Sequence, residues 1–201
     1  MTSTSSPTSP VEGNPVNAPI IFVSGSKGGV GKSITTMAVL DYLGSKQQMA
    51  KLVDADSSNP DVFKSYNRAL ESEQLDLDDV EGWIQLVNIA DSPSFKTLVV
   101  NTPARNNDGV RKHGEVLLGA LKELARPLVT LWIINRQRDS LDLLAEYLDL
   151  TAGHGVVHVV QNGYFGEQKK YELYQSSAIR DRVELQRWRA SVAEMLASVN
   201  L

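Results

Sequence analysis

From Pro19 onward the chain alternates short apolar runs with longer amphipathic ones. Ile20–Val23, Lys51–Val53, Leu98–Val100, Leu128–Ile134 and Val156–Val160 are brief and rich in β-branched residues, which predicts strands. Between them, Lys32–Leu43 places Met37, Leu40 and Leu43 on one face, and Val80–Ile89, Val110–Leu124 and Leu141–Leu150 also have helical spacing. Tyr171–Ala178 and Val183–Val199 predict two further helices. Strands that alternate with helices of this length form βαβ units. The expected fold is therefore α/β: one doubly wound, mostly parallel sheet with helices on both faces. The longest apolar runs fall far short of the roughly 20 residues that a membrane span requires.

Before Pro19 the pattern stops. Thr2–Ala18 is Ser, Thr, Pro, Asn and Gly with scattered Val, and holds three of the eight prolines. Too little apolar surface is present to offset the entropy of ordering it, so residues 1–18 are expected to form a disordered tail and 19–201 the folded domain. At 201 residues the chain accommodates one well-buried domain. It has no cysteine, which excludes disulfides, thiolate metal sites, cysteine nucleophiles and a cysteine-held iron–sulfur cluster, and which suits a cytoplasmic location. A net charge of −4 gives no general attraction to nucleic acid or to an anionic membrane.

The candidate chemistry begins where the first strand ends. Gly25-Ser26-Lys27-Gly28-Gly29-Val30-Gly31-Lys32-Ser33 leads directly into a helix, the context a phosphate-binding loop requires. Glycines let the backbone N–H groups converge on an anion, and the helix N-terminus adds a favourable dipole. Lys32 is placed to meet the β- and γ-phosphates, and the Ser33 hydroxyl to ligate Mg²⁺.

Lys27 adds a second lysine at the front of this loop. Lys27-Gly-Gly-Val-Gly-Lys-Ser33 resembles the deviant Walker A motif of the MinD/ParA family of P-loop ATPases, which have a SIMIBI-type P-loop NTPase fold. The resemblance implies ATP and Mg²⁺ as cofactors, hydrolysis of ATP to ADP and phosphate, and a homodimer formed with ATP. In that dimer Lys27 would reach the partner's nucleotide. Ser26 stands where the family usually has Gly, and Ile34 where a second Thr often meets the α-phosphate; the loop's backbone donors remain. Lys27 and Lys32 join Asp56 as the catalytic candidates.

Strand two ends Asp54-Ala-Asp56, similar to the family's Asp-x-Asp motif. Alternation puts both carboxylates on one side, at the strand end where α/β sheets bind ligands. The resemblance implies that Asp54 supports the magnesium shell and that Asp56 orients the attacking water. Asn101-Thr-Pro-Ala104 resembles the family's switch segment with Asn in the aspartate position. An amide there can hold a metal-bound water but brings no charge. Loss of such a supporting carboxylate costs about 10–100-fold in metal affinity or activity, roughly 1.4–2.7 kcal/mol. Hydrolysis is therefore expected to be slow. A nucleotide-binding scaffold with little or no hydrolysis is the alternative; a small-molecule kinase would need a substrate acid or base that the sequence does not offer.

Asn162 ends the last strand before Gly163. The resemblance implies that its amide reads adenine, while its local context also suits a turn. The segment from Asn162 through Ser177 resembles the small plasmid-encoded TraL- and StbB-like members, associated with plasmid stability and conjugative transfer, which implies a role in plasmid maintenance, transfer or cargo positioning with a protein activator or cargo as partner. Val183, Leu185, Trp188, Val192, Leu196 and Val199 stripe the final helix. Such a stripe more often packs on its own domain than on a membrane, and Glu184 and Glu194 dilute its basic face. Arg111-Lys112, Arg136 with Arg138, Lys169-Lys170, and Arg180 with Arg182 are scattered pairs that would contact DNA only if a dimer merged them into one face.

Overall fold

The computed structural model describes residues 18–92, 96–104 and 106–189, with side chains to residue 184. The expected tail up to residue 17 and the final stripe beyond Val183 lie outside this description.

Six strands form one all-parallel sheet in the order β3-β2-β4-β1-β5-β6. They are β1 (Ile20–Gly25), β2 (Ala50–Asp54), β3 (Ser72–Gln74), β4 (Thr97–Asn101), β5 (Leu128–Ile134) and β6 (Val156–Gln161). Every residue of central β1 is buried. Its alternation divides two cores. Ile20 and Phe22 join Trp83, Leu117, Leu144 and Tyr147 on one face, while Ile21 and Val23 join Leu40, Leu43, Val62 and Ile133 on the other. Because both faces carry apolar side chains, both must be covered by helices. Helices α1 (Lys32–Ser45) and α2 (Asp61–Tyr66) supply residues to the second core. Helices α3 (Val80–Asp91), α4 (Asn106–His113), α5 (Glu115–Leu124), α6 (Arg138–Leu150), α7 (Glu172–Gln175) and α8 (Ala178–Arg189) supply the first.

Three expectations are corrected. The helix expected over Val110–Leu124 breaks at Gly114, where a Cβ would lie 2.4 Å from the Val110 carbonyl oxygen, so two helices form. The helix expected over Tyr171–Ala178 is the four-residue α7, and α8 starts at Ala178. The short, polar elements α2 and β3 were not anticipated; six and three residues carry too little periodicity to announce themselves. Four of the eight scattered basic residues form ion pairs within the described chain. Arg111 pairs with Asp108 and Glu146, Lys169 with Glu167, Arg180 with Glu184 and Arg182 with Asp149, which weakens the case for a DNA face.

The parallel register brings the C-terminal ends of the strands to one edge: Asp54 lies opposite Asn101, Asn101 opposite Val23, and Gly25 opposite Ile133. At the other edge the buried Arg126 guanidinium donates to four backbone carbonyls, those of Ala18, Pro19, Ala90 and Lys96, at 2.7–3.2 Å.

Candidate functional site

The loop from Gly25 to Gly31 joins β1 to α1 at the C-terminal edge of the sheet. Gly29 (φ 75°) and Gly31 (φ 109°) have left-handed backbones, and Gly31 immediately precedes the first helical residue. At Gly31 a Cβ would also meet Asn162 Nδ2 at 2.6 Å, so conformation and space both require glycine there. Lys32 folds back over the loop and its Nζ donates to the Lys27 carbonyl at 3.1 Å. The side chain is buried, which depresses its pKa, while the nearby Asp56 charge acts in the opposite direction. Ser33 is half-buried beside it, and Ile34 is 71% exposed on the first turn of α1.

Beneath the loop lies a fully buried polar relay. Thr36 Oγ1 sits 3.0 Å from the Lys32 carbonyl and 3.1 Å from Asn101 Oδ1. Asn101 Nδ2 donates to Asp54 Oδ1 at 2.9 Å, and that oxygen also accepts from the Asp56 N–H at 3.2 Å. The other Asp54 oxygen accepts from the Phe63 N–H at 2.9 Å, inside α2. Asp54 and Asn101 therefore brace α1, β2, β4 and α2 against one another. Asp56 is less enclosed; its Oδ1 accepts from the Ser58 hydroxyl at 2.6 Å and from the Asn59 N–H at 3.3 Å.

The front of the loop is tied to the start of α6. Ser26 Oγ lies 3.1 Å from Ser140 Oγ, and the Lys27 ammonium forms an ion pair with Asp139. This latch was not legible beforehand, because Asp139 and Ser140 look like an ordinary polar helix start. At the far side of the loop, Asn162 Nδ2 donates to the Val30 carbonyl at 2.8 Å, and the backbone carbonyl of Asn162 accepts from the buried Tyr171 hydroxyl at 2.5 Å. Asn162 thus reaches the loop, as expected of a residue near it, but its amide is engaged by the chain.

The residues gathered here are those an anion site needs: a glycine-bent loop, a helix N-terminus and a buried ammonium with spare donors. Among the described residues no group of three or more His, Cys, Asp or Glu is arranged to hold a metal ion. Of the residues expected at a metal, the half-buried Ser33 hydroxyl is the one that could hold a divalent cation, while Asp54 and Asn101 are occupied with each other.

Comparisons with known proteins agree with this fold. The chain is 54% identical over 165 residues to protein MobD of Acidithiobacillus ferrooxidans, spanning 82% of this chain and 72% of that protein. No family model matches. A nucleotide-binding protein of Archaeoglobus fulgidus, solved in complex with ADP, superposes with a TM-score of 0.51 at 15% identity, over 85% of this chain and 87% of the other. A de novo designed protein with a P-loop NTPase fold gives a TM-score of 0.50 at 11% identity, over 84% and 93%. The fold is that of P-loop NTPases.

Proposed function

The chain belongs to the MobD family, and we propose that it is an ATP-binding switch of the MinD/ParA kind, which dimerises around nucleotide and hydrolyses it slowly. The observation that carries this reading is Lys32: a buried ammonium, depressed in pKa by that burial, at the mouth of a loop bent by Gly29 and Gly31. An anionic phosphate would offset the cost of burying that ammonium.

In this reading the loop N–H groups and Lys32 hold the phosphates of ATP. The Ser33 hydroxyl would hold Mg²⁺, which supplies charge neutralisation of the phosphates when bound. Asp56, the carboxylate whose field reaches Lys32, orients the attacking water. Lys27 leaves Asp139 for the nucleotide of a second subunit, so that ATP favours the dimer by its differential affinity. The MobD relationship favours plasmid mobilisation as the setting, with plasmid maintenance or movement of another cargo as the wider class and a protein activator or cargo as partner.

A second reading, a nucleotide-dependent scaffold with almost no turnover, is favoured by one observation. The Asn101 amide is committed to Asp54 and brings no negative charge to the loop.

Calorimetric titration of ATP into the wild type and Lys32→Ala tests the core of both readings. Loss of measurable binding with an unchanged circular dichroism spectrum is expected. Near-normal binding by the folded variant would remove the phosphate-loop assignment. Phosphate release on the wild type then separates a slow ATPase from a scaffold.

A further inference from the structure

We propose that the nucleobase is held by the face of Tyr164, and that Asn162 is withdrawn from base reading into clamping the phosphate loop, so that the site tolerates ATP and GTP alike. This rests on the nucleotide-binding reading above.

An asparagine recognises an adenine edge by presenting its amide donor and acceptor side by side to the base. Here the two ends of the amide point elsewhere. Nδ2 donates to the Val30 carbonyl at 2.8 Å, and Oδ1 accepts from the Tyr164 N–H at 3.0 Å. Only one orientation of the amide satisfies both, because a carbonyl needs the NH₂ and an N–H needs the oxygen. The position is fixed from two further sides. Gly31 leaves room for Nδ2 by lacking a Cβ, and the buried Tyr171 hydroxyl holds the Asn162 backbone carbonyl. Turning the amide toward a base would break the clamp on Val30 and leave that carbonyl to find another donor.

The same turn supplies a different base-binding surface. Tyr164 is the middle residue of the short 3₁₀ turn Gly163–Phe165 and is 88% exposed, which leaves the face of its ring open to a ligand. Phe165 meets it edge-on, with centroids 5.4 Å apart and planes at 86°, so the contact steadies the ring without stacking on it. Tyr164 is coupled to the loop through a single residue, since the Asn162 amide touches both Tyr164 N–H and Val30. Among the described residues the other exposed aromatic is Tyr42, more than two turns along α1, with the Lys46 ammonium over its ring. The base is accordingly assigned to this open face, two positions along the chain from the residue that clamps Val30. Stacking uses the π-face that every base has, so it confers affinity with little discrimination.

Calorimetric titration of the full chain with ATP, GTP and inorganic tripolyphosphate, each with Mg²⁺, tests both halves. Tyr164→Ala is expected to weaken ATP and GTP by the same factor, about 10-fold from the stacking range, and to leave tripolyphosphate unchanged; Tyr164→Phe should bind all three as the wild type does. Asn162→Ala is expected to weaken all three, tripolyphosphate included, because it loosens the loop itself. The proposal is overturned if Tyr164→Ala leaves both nucleotides unaffected. It is equally overturned if the wild type strongly prefers ATP and Asn162→Ala erases that preference while sparing tripolyphosphate. A wild-type chain that binds neither tripolyphosphate nor ATP overturns the phosphate-loop reading, and this inference with it; tripolyphosphate binding without any gain from a base overturns the inference alone.

Discussion

Lys32 and Arg126 are both buried cations, 6% and 4% exposed, and they stand at opposite edges of the same sheet. Burial depresses the pKa of each. They differ in what the chain offers them. Arg126 has a planar fork that four backbone carbonyls close around, joining the residues before β1, the end of α3 and the entry to β4. Lys32 makes one described hydrogen bond, to the Lys27 carbonyl, in a loop bent by two glycines with left-handed backbones. A cation that the chain satisfies is part of the scaffold. One that is desolvated and left with spare donors is prepared for an anion from outside, and its burial costs stability until that anion arrives.

The largest effect expected from this contrast is on stability. Arg126→Met removes a donor from four backbone carbonyls, of which that of Pro19 still accepts from the Leu98 N–H, at about 1–3 kcal/mol for each one left unpaired. A net loss of at least about 3 kcal/mol is expected, which lowers Tm by roughly 6–12 °C for a domain of this size. Nucleotide binding by the protein that remains folded should be unchanged. Lys32→Met should do the reverse, with Tm unchanged or raised and binding lost, because the buried ammonium disappears. Thermal melts and titrations on both variants decide it. Equal losses of Tm would mean that Lys32 is scaffold too.

The Asn101–Asp54 pair tests the same rule with the opposite charge. Both side chains are fully buried, and the Asn101 NH₂ is the donor that satisfies Asp54. Asn101→Asp converts this contact into two carboxylates side by side away from solvent. A loss of about 2–3 kcal/mol at neutral pH is expected, because a donor is removed and like charges meet. The sign with pH follows. Like-charge repulsion and burial raise the folded-state pKa of the variant pair above its unfolded value, so the penalty shrinks as pH falls through that raised pKa and one proton binds. Melting curves from pH 8 to pH 5 should therefore converge on the wild type. The sequence resemblance pointed to faster turnover from a carboxylate at 101, by up to about 10–100-fold. That gain is expected with Mg²⁺-nucleotide present, when a cation can offset the added charge. If stability is pH-independent, Asn101 and Asp54 are not in contact; if turnover is unmoved at all Mg²⁺ concentrations, position 101 has no part in holding the metal.

The sheet and its loop were legible because both depend on local pattern. Each predicted strand is present within about three residues, and the run Gly25–Ser33 announces its bend through Gly29 and Gly31. What escaped depends on distant partners. The Arg126 carbonyls lie up to 108 positions away in sequence, and Ser140 lies 114 from Ser26. Neither residue type is unusual where it stands. Asn162 shows the same limit from the other side: its place at the end of β6 could be read, but whether its amide faced a base or the Val30 carbonyl was a matter of packing. Gly114 was visible as a glycine, yet only its approach to the Val110 carbonyl reveals why two helices meet there.

The smallest expected effect concerns the lysine at the front of the loop, which completes the contrast because its partner is exchangeable. Lys27 and Asp139 form an ion pair with both side chains close to half exposed, a setting in which such pairs are worth about 0.2–1 kcal/mol. Asp139→Asn should therefore change Tm very little. If Lys27 must leave Asp139 to reach the nucleotide of a second subunit, the pair opposes dimerisation by its own small worth. Removing the carboxylate should then strengthen association with a non-hydrolysable ATP analogue by about 2- to 30-fold, because both subunits of the dimer give up the pair and its free energy counts twice. Lys27→Ala should bind the analogue and remain monomeric. Sedimentation velocity at several protein concentrations, with and without the analogue, reads all three proteins. Tighter association of Asp139→Asn only when the analogue is present supports the exchange. Equal association of wild type, Asp139→Asn and Lys27→Ala would leave Lys27 with its partner in the same chain, as another group the scaffold has already satisfied.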